Sequence, residues 1–375
     1  MKKCFSFFAV SLALLLSASL ISCKAPSGSS SSNASETTPT SYKAGDVALA
    51  KIKIGNVEYE NTAEVYVTGK DGAEIEGADP NFVEDSADDI YKGVFRTGRK
   101  VKLSPYIMSK YEVTQELYTA VMTGQKAIFL PSETEYPLAA EPFFCKSTRN
   151  EYKVLLAGEE QKYRAADGIT WYDAVYFCNV LSEKTGLTKA YNITATGLNS
   201  NGNINDAVVT LVSGANGYRL PTEAEWEFAA RGGDPTKPEW DYTFSGAAKT
   251  DGSSYSDQQN TGLDAVGWYR YNTASGTTSN SDPSSGTAGY GTHQVGKKAA
   301  NTLGIFDMSG NVWEWCYDTY VLKTPSGTVV QYQRVLRGGC WSQGAQNCSV
   351  CFKSSSSPAY NMNSMGGFRV CRNAD

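Results

Sequence analysis

The sequence predicts a loop-rich α+β domain with few regular elements and long ordered connections. Three observations carry this. The 375 residues include 35 Gly and 12% aromatic residues, with 23 Tyr and 7 Trp, too aromatic a chain to stay disordered. Short alternating runs dominate the early part of the folded region, and only three stretches carry a helical repeat. From 234 to 300 the chain is mostly Gly, Ser, Thr, Asn and Asp, broken by Trp240, Trp268, Tyr269 and Tyr271. Length alone suggests two domains at about 150 residues each, but that is a soft prior. No internal repeat is visible, so residues 46–375 read as a single domain, long enough to bury a large core.

The elements follow in order. Val47 to Ile54 and Glu64 to Val67 alternate as strands do, with Gly-Asp and Asp-Gly punctuation between such runs. Val113 to Met122 reads as a helix: Thr114 can cap it, and Leu117, Val121 and Met122 share a face. Thr170 to Leu181 places Trp171, Ala174, Val175, Cys178 and Leu181 at helical spacing, with Gly186 just beyond. Pro221 to Gly233 opens on a capping box, Thr222 with Glu225, and stops at a double glycine.

Ahead of the domain, Met1-Lys2-Lys3 is a positive start, and Phe5 to Leu20 is apolar but short for a membrane span. Leu20-Ile21-Ser22-Cys23 resembles a bacterial lipobox, which implies that 1–22 is a signal peptide and that Cys23 carries acyl chains. The alternative is an ordinary signal peptide with an incidental Cys. Residues 23–45 are Ser-rich and read as a lipidated flexible tether. Loss of Lys2 and Lys3 lowers the formal charge from −5 to −7, so anionic lipid would repel the body and the acyl chains must hold the membrane. The expected location is the bacterial envelope, at the outer-membrane surface. An acidic balance leaves no footprint for nucleic acid, and a single His excludes His-rich zinc sites. Seven Cys remain after Cys4 and Cys23 (Cys145, Cys178, Cys316, Cys340, Cys348, Cys351 and Cys371), an odd number whose pairing stays open.

Three segments together resemble the formylglycine-generating enzyme (sulfatase-modifying factor) family. They are Gly217 to Glu227, Leu303 to Trp315, and Arg334 to Gly339 closing with Gly366-Gly367-Phe368-Arg369; Ser109 to Gln115 fits an early segment of the family. The resemblance implies the family's C-type lectin-like fold, with the functional surface near the C-terminus. It also implies a structural calcium ion on Asp307, Gly310, Val312 and Glu314, since a hard cation takes closely spaced carboxylate and carbonyl oxygens. The competing reading makes Asp307 a turn cap and pairs Glu314 with a buried Arg219 or Arg337. Trp313 and Trp315 read as core, and His293 as structural. No other cofactor is expected.

The family's enzymes oxidise a substrate cysteine with a Cys-x4-Cys pair that holds copper, which soft thiolates suit. Here Cys340, Cys348 and Cys351 give x7 and x2 spacings, and no x4 pair exists. The chain is therefore expected not to be an enzyme, with an oxidase working through Cys348 and Cys351 as the remote alternative. Between family-like anchors, residues 340–365 instead mix Ser, Cys, Phe, Tyr and Met without period. Asn codons open on two adenines, and randomising those adenines yields Ser, Cys, Phe, Tyr, Gly and similar residues. This resembles the variable lipoproteins of diversity-generating retroelements, of the Treponema variable protein type. The implied binding positions are Cys340, Ser342, Gln343, Gly344, Ser349, Cys351, Phe352, Ser354, Ser355, Ser356, Ser357, Tyr360, Met362 and Ser364. Gln343, Lys353 and the Met residues need other template codons or are fixed. The expected partner is a protein or glycan of variable identity; an invariant structural or carbohydrate-binding lipoprotein is the alternative.

Overall fold

The computed structural model describes residues 51–374, apart from 68–73, 84–87, 130–132, 250–258, 276–282, 324–328, 355–357 and 362. The chain divides into Met1–Pro39 and Thr40–Asp375, and every described residue belongs to the latter. The signal segment, Cys23 and the tether lie outside the described residues, as do Val47 to Ala50, Ser355 to Ser357 and Met362.

β1 (Lys53–Ile54) and β2 (Val57–Glu58) make a short hairpin, followed by β3 (Glu64–Val67), β4 (Glu74–Glu76), α1 (Asp89–Lys92), β5 (Lys100–Lys102) and β6 (Tyr106–Ser109). Next come α2 (Gln115–Met122), β7 (Lys126–Phe129), β8 (Thr134–Pro137) and α3 (Trp171–Lys184). A hairpin of β9 (Tyr191–Leu198) and β10 (Ile204–Leu211) precedes α4 (Glu223–Ala230) and α5 (Thr261–Val266). The chain closes with β11 (Trp313–Lys323), β12 (Val329–Arg337), β13 (Lys353–Ser354), β14 (Gly366–Gly367) and β15 (Cys371–Asn373).

The three expected helices form for the reasons the sequence offers. Thr114, Thr170 and Thr222 each accept a hydrogen bond from the backbone N–H three residues on, and Thr222 and Glu225 complete the reciprocal capping box. All five apolar positions of α3 are fully buried. Gly232 and Gly233 stop α4 with φ of 78° and 71°, a region that side chains with a Cβ avoid.

Two sheets position the C-terminal part. β13-β12-β11-β14 runs antiparallel except for β14, which lies parallel to β11 through Trp313↔Gly366 and Glu314↔Gly367. β15-β6-β3 clamps the chain's end against its beginning, with Cys371 opposite Met108 and Val65 also opposite Met108. The largest buried cluster gathers α2, α3 and one face of β11 and β12; a second gathers α4, β3, β6 and the opposite face.

Candidate cleft at the start of the C-terminal sheet

Strand periodicity builds the site. Successive side chains of β11 point to opposite faces, so Trp313 and Trp315 join the α2–α3 cluster while Cys316 joins the cluster around Trp226. Glu314, between the two tryptophans, reaches Trp226 itself: Trp226 Nε1 donates to Glu314 Oε2 at 2.8 Å. On β12, Leu336 stands opposite Trp315 and on the same side, whereas Arg337 points the other way and meets Glu227 Oε2 at 2.5 Å.

Where β11 begins, these tryptophans floor a cleft of about 350 Å³, near the lower end of the small-molecule range. Its walls come from Leu336, from Gln343 and Asn347 after β12, from Phe352 and Ser354 around β13, and from Asn361, Asn363, Met365 and Gly366 before and at β14. Trp313 and Phe352 stand 5.9 Å apart, tilted by 45°. Among the described residues, no ionisable side chain lines the cleft. The lip is held from behind. Trp341 packs edge-on to Tyr290 and donates its indole N–H to the Ser364 carbonyl at 2.7 Å, tying the two ends of the segment together.

The expected contact residues divide sharply. Gln343, Phe352 and Ser354 line the cleft, Tyr360 is 57% exposed, and Ser342 and Ser364 are half-buried beside it. Cys340, Gly344, Ser349 and Cys351 are buried, so their expected place on a ligand-contacting surface is corrected: they are packing positions. The reason is that Cys340 and Phe352 pack into one hydrophobic cluster, Cys348 into another, and Val350 with Cys351 into a third. Phe352 does both jobs. It faces the cleft, yet only 8% of it is exposed, and it rests on Tyr91 at 5.1 Å. Trp313, expected as core alone, is buried and lines the cleft; Trp315, Leu336, Asn347, Asn361, Asn363 and Met365 were not singled out as contacts. Asn347, Asn361 and Asn363 lie within the 340–365 segment that the sequence did mark.

The thiols are poorly placed for chemistry. All seven described cysteines are free and buried. Burial pushes the Cys351 thiol up to about 12, although Arg231 Nη2 lies 2.8 Å from its sulfur, and pushes Cys340 up to about 11. Nucleophilic or copper-binding cysteine must reach the thiolate, which such surroundings oppose. His293 is structural: Nδ1 meets Glu159 Oε1 at 2.9 Å, Nε2 meets the Thr273 carbonyl at 2.8 Å, and the ring stacks on Trp268. Desolvation holds its pKa below the usual value.

Asp307, Gly310, Val312 and Glu314 sit together on the turn into β11, but Glu314 is already committed. Arg369 grips it with Nε at 2.6 Å on Oε2 and Nη2 at 2.7 Å on Oε1. The buried arginine expected to pair with it is thus Arg369; Arg219 is paired with Glu225, and Arg337 with Glu227. Asp307 Oδ2 accepts from the Gly296 N–H at 2.6 Å, and its Oδ1 is buried without a hydrogen-bond partner. Val312 N–H is taken by Glu112 Oε1. Among the described residues, no group of three or more His, Cys, Asp or Glu side chains is placed to hold a metal. Glu314 is thus engaged by Arg369 and Trp226, while Asp307 Oδ1 is the buried oxygen of this set without a hydrogen-bond partner.

Residues 52–374 match the Sulfatase-modifying factor enzyme 1-like domain. The chain is 31% identical over 296 residues to a chaperone protein LppX of Paenibacillus barcinonensis, covering 75% of this chain and 86% of that one. It is 34% identical over 173 residues to a formylglycine-generating enzyme of Streptomyces coelicolor, spanning 42% of this chain and about half, 48%, of that enzyme. Mouse inactive C-alpha-formylglycine-generating enzyme 2 is 36% identical over 129 residues, 33% of this chain and 32% of that protein. Among solved structures, Treponema denticola variable protein 1 superposes with a TM-score of 0.53 at 26% identity, over 86% of this chain and 98% of that one. The CarF structure shares the fold at a TM-score of 0.50 and 23% identity, over 84% and 99%. The family thus holds both active and inactive members, and the chain belongs to it, on the C-type lectin-like fold shared by its formylglycine-generating enzymes and variable proteins.

Proposed function

We propose that this chain is a non-catalytic, surface-displayed lipoprotein that binds ligands through a diversified segment, residues 340–365, set on an invariant scaffold. The observation that carries the reading is the split within that segment. Gln343, Ser354 and Tyr360 face the cleft or solvent, while Cys340, Trp341, Cys348, Cys351 and the backbone of β13 lock into the core. A rigid frame under exchangeable side chains lets a ligand be met without ordering a loop at the moment of binding. Mixed aromatic, amide and hydroxyl groups are the chemistry that antibody loops use for adaptable contact. The missing Cys-x4-Cys pair and the buried, protonated thiols support the absence of oxidase activity. Cys23 and the Ser-rich run behind it support envelope anchoring.

The test is a display library in which Gln343, Ser354 and Tyr360 are randomised together and selected against several unrelated immobilised targets. Folded binders to different targets, all with an unchanged core, are the expected result. A library whose members fail to fold, or fold and yield no target-specific binders, would overturn the reading.

A further inference from the structure

Resting on the proposed binding role of the cleft, we propose that in this variant the cleft takes a neutral saccharide. The polar groups facing the cleft are amides and a hydroxyl, without a formal charge: Gln343, Asn347, Asn361, Asn363 and Ser354. A carboxylate, phosphate or ammonium entering such a cleft would lose water and find no counter-charge. Neutral ligands are left, and the hydrogen-bonding pattern narrows them.

The amides of this rim are only partly used by the protein. Asn347 Nδ2 donates to Gln343 Oε1 at 2.6 Å, and Asn363 Oδ1 accepts from the Met365 N–H at 2.9 Å. Gln343 Nε2, Asn347 Oδ1, Asn363 Nδ2 and both polar atoms of the Asn361 side chain have no partner among the described residues. The rim therefore offers donors and acceptors side by side. A hydroxyl both donates and accepts, and a ring bearing several hydroxyls can use such a set, whereas an apolar side chain would leave it unsatisfied. Beneath the amides lie the Trp313 and Phe352 rings and the apolar edges of Leu336 and Met365, a surface for the C–H face of a sugar ring. The volume, about 350 Å³, suits a small ligand or the terminus of a larger one rather than an extended chain.

The test uses the full-length protein in detergent, titrated with a panel of neutral mono- and disaccharides beside sialylated and sulfated counterparts, with Trp fluorescence and calorimetry as readouts. The expected result is saturable binding of at least one neutral saccharide, with its acidic counterpart bound at least about tenfold more weakly. Gln343→Ala and Asn361→Ala should each weaken binding about tenfold, the loss of one well-made hydrogen bond, while leaving the unfolding midpoint unchanged. Binding that survives both substitutions unchanged would overturn the proposal, as would preference for acidic saccharides. If no saccharide binds while random-peptide selection yields ligands sensitive to Gln343→Ala, the saccharide assignment falls and the binding cleft stands. Failure of both would remove the cleft's binding role as well.

Discussion

Replacing Glu314 by Ala should cost the fold about 3–5 kcal/mol. Glu314 is fully buried and its two oxygens satisfy three donors: Arg369 Nε, Arg369 Nη2 and Trp226 Nε1. Removing one partner of a buried ion pair leaves the other charge without compensation, a loss of about 3–5 kcal/mol in comparable sites. The orphaned indole N–H adds a desolvation cost of about 1–3 kcal/mol, not additive with the first because both relax together. Urea unfolding of the full chain, followed by circular dichroism, reads the difference. Arg369 also donates to the Ser109 and Phe306 carbonyls, so it cannot swing out to solvent without breaking the junction between β6 and β11. Glu314→Leu combined with Arg369→Met should recover much of the loss, since an apolar pair of similar volume needs no counter-charge. The same series separates the arginine clamp from a calcium ligand. The wild type and Glu314→Ala should keep the same difference in calcium and in excess EGTA. A cost below about 1 kcal/mol, or a wild type that loses several kcal/mol on chelation while Glu314→Ala does not, would refute the clamp.

Four further expectations follow from named contacts. Phe352→Ala should destabilise by about 2–3 kcal/mol, below the usual range for a buried Phe because one side faces the cleft, while Tyr360→Ser changes stability by no more than about 0.5 kcal/mol; equal urea midpoints for the two variants would contradict the division of the segment. Burial raises the carboxyls of Asp167 and Asp173 from the ordinary 3.8 to about 6, so both favour the folded state most when protonated and that contribution fades as pH climbs from about 4 to 6; Asp173→Asn should flatten the fall in stability across this window, and an unchanged slope would show that Asp173 does not titrate there. Cys145, Cys178, Cys316, Cys340, Cys348, Cys351 and Cys371 should resist iodoacetamide in the native protein and react in urea, as peptide mass spectrometry reads; rapid native labelling of Cys348 or Cys351, or conversion of a cysteine-bearing sulfatase peptide to formylglycine with Cu(I), would reopen the oxidase reading. Cys23→Ala should move the protein from the detergent to the aqueous phase, and continued detergent partitioning would refute the lipid anchor.

How much the sequence revealed depended on whether the signal was local. The α2, α3 and α4 caps are written within four residues each, and all three formed where Thr114, Thr170 and Thr222 placed them. The β9–β10 hairpin was equally local, with Tyr191, Ile193 and Ala195 alternating before a turn containing Asn201-Gly202, and this signal passed unread. The burial of Cys340, Ser349 and Cys351 was not legible, because their segment follows neither a helical nor a strand period: its inward residues are shared among three separate clusters by an irregular path. Arg369 as the partner of Glu314 was hidden for a related reason. The motif ending in Arg369 was recognised, but 55 residues separate it from Glu314 and only the parallel β11–β14 pairing brings them together. The cleft itself was half visible. The segment that walls it was identified, whereas its floor, Trp313 and Trp315, belongs to a different motif and was read as core.

The central claim, that a fixed scaffold carries a diversified binding segment, is tested most directly by sequencing the genome around this gene. The account predicts a near-copy of the bases that encode residues 340–365, differing from the gene only at template adenines and lying beside a reverse-transcriptase gene. Codons for cleft and surface positions such as Ser354 and Tyr360 should differ between the copies, while those for the packing anchors Trp341 and Cys348 should not. A gene with no such copy and no reverse transcriptase nearby would contradict it.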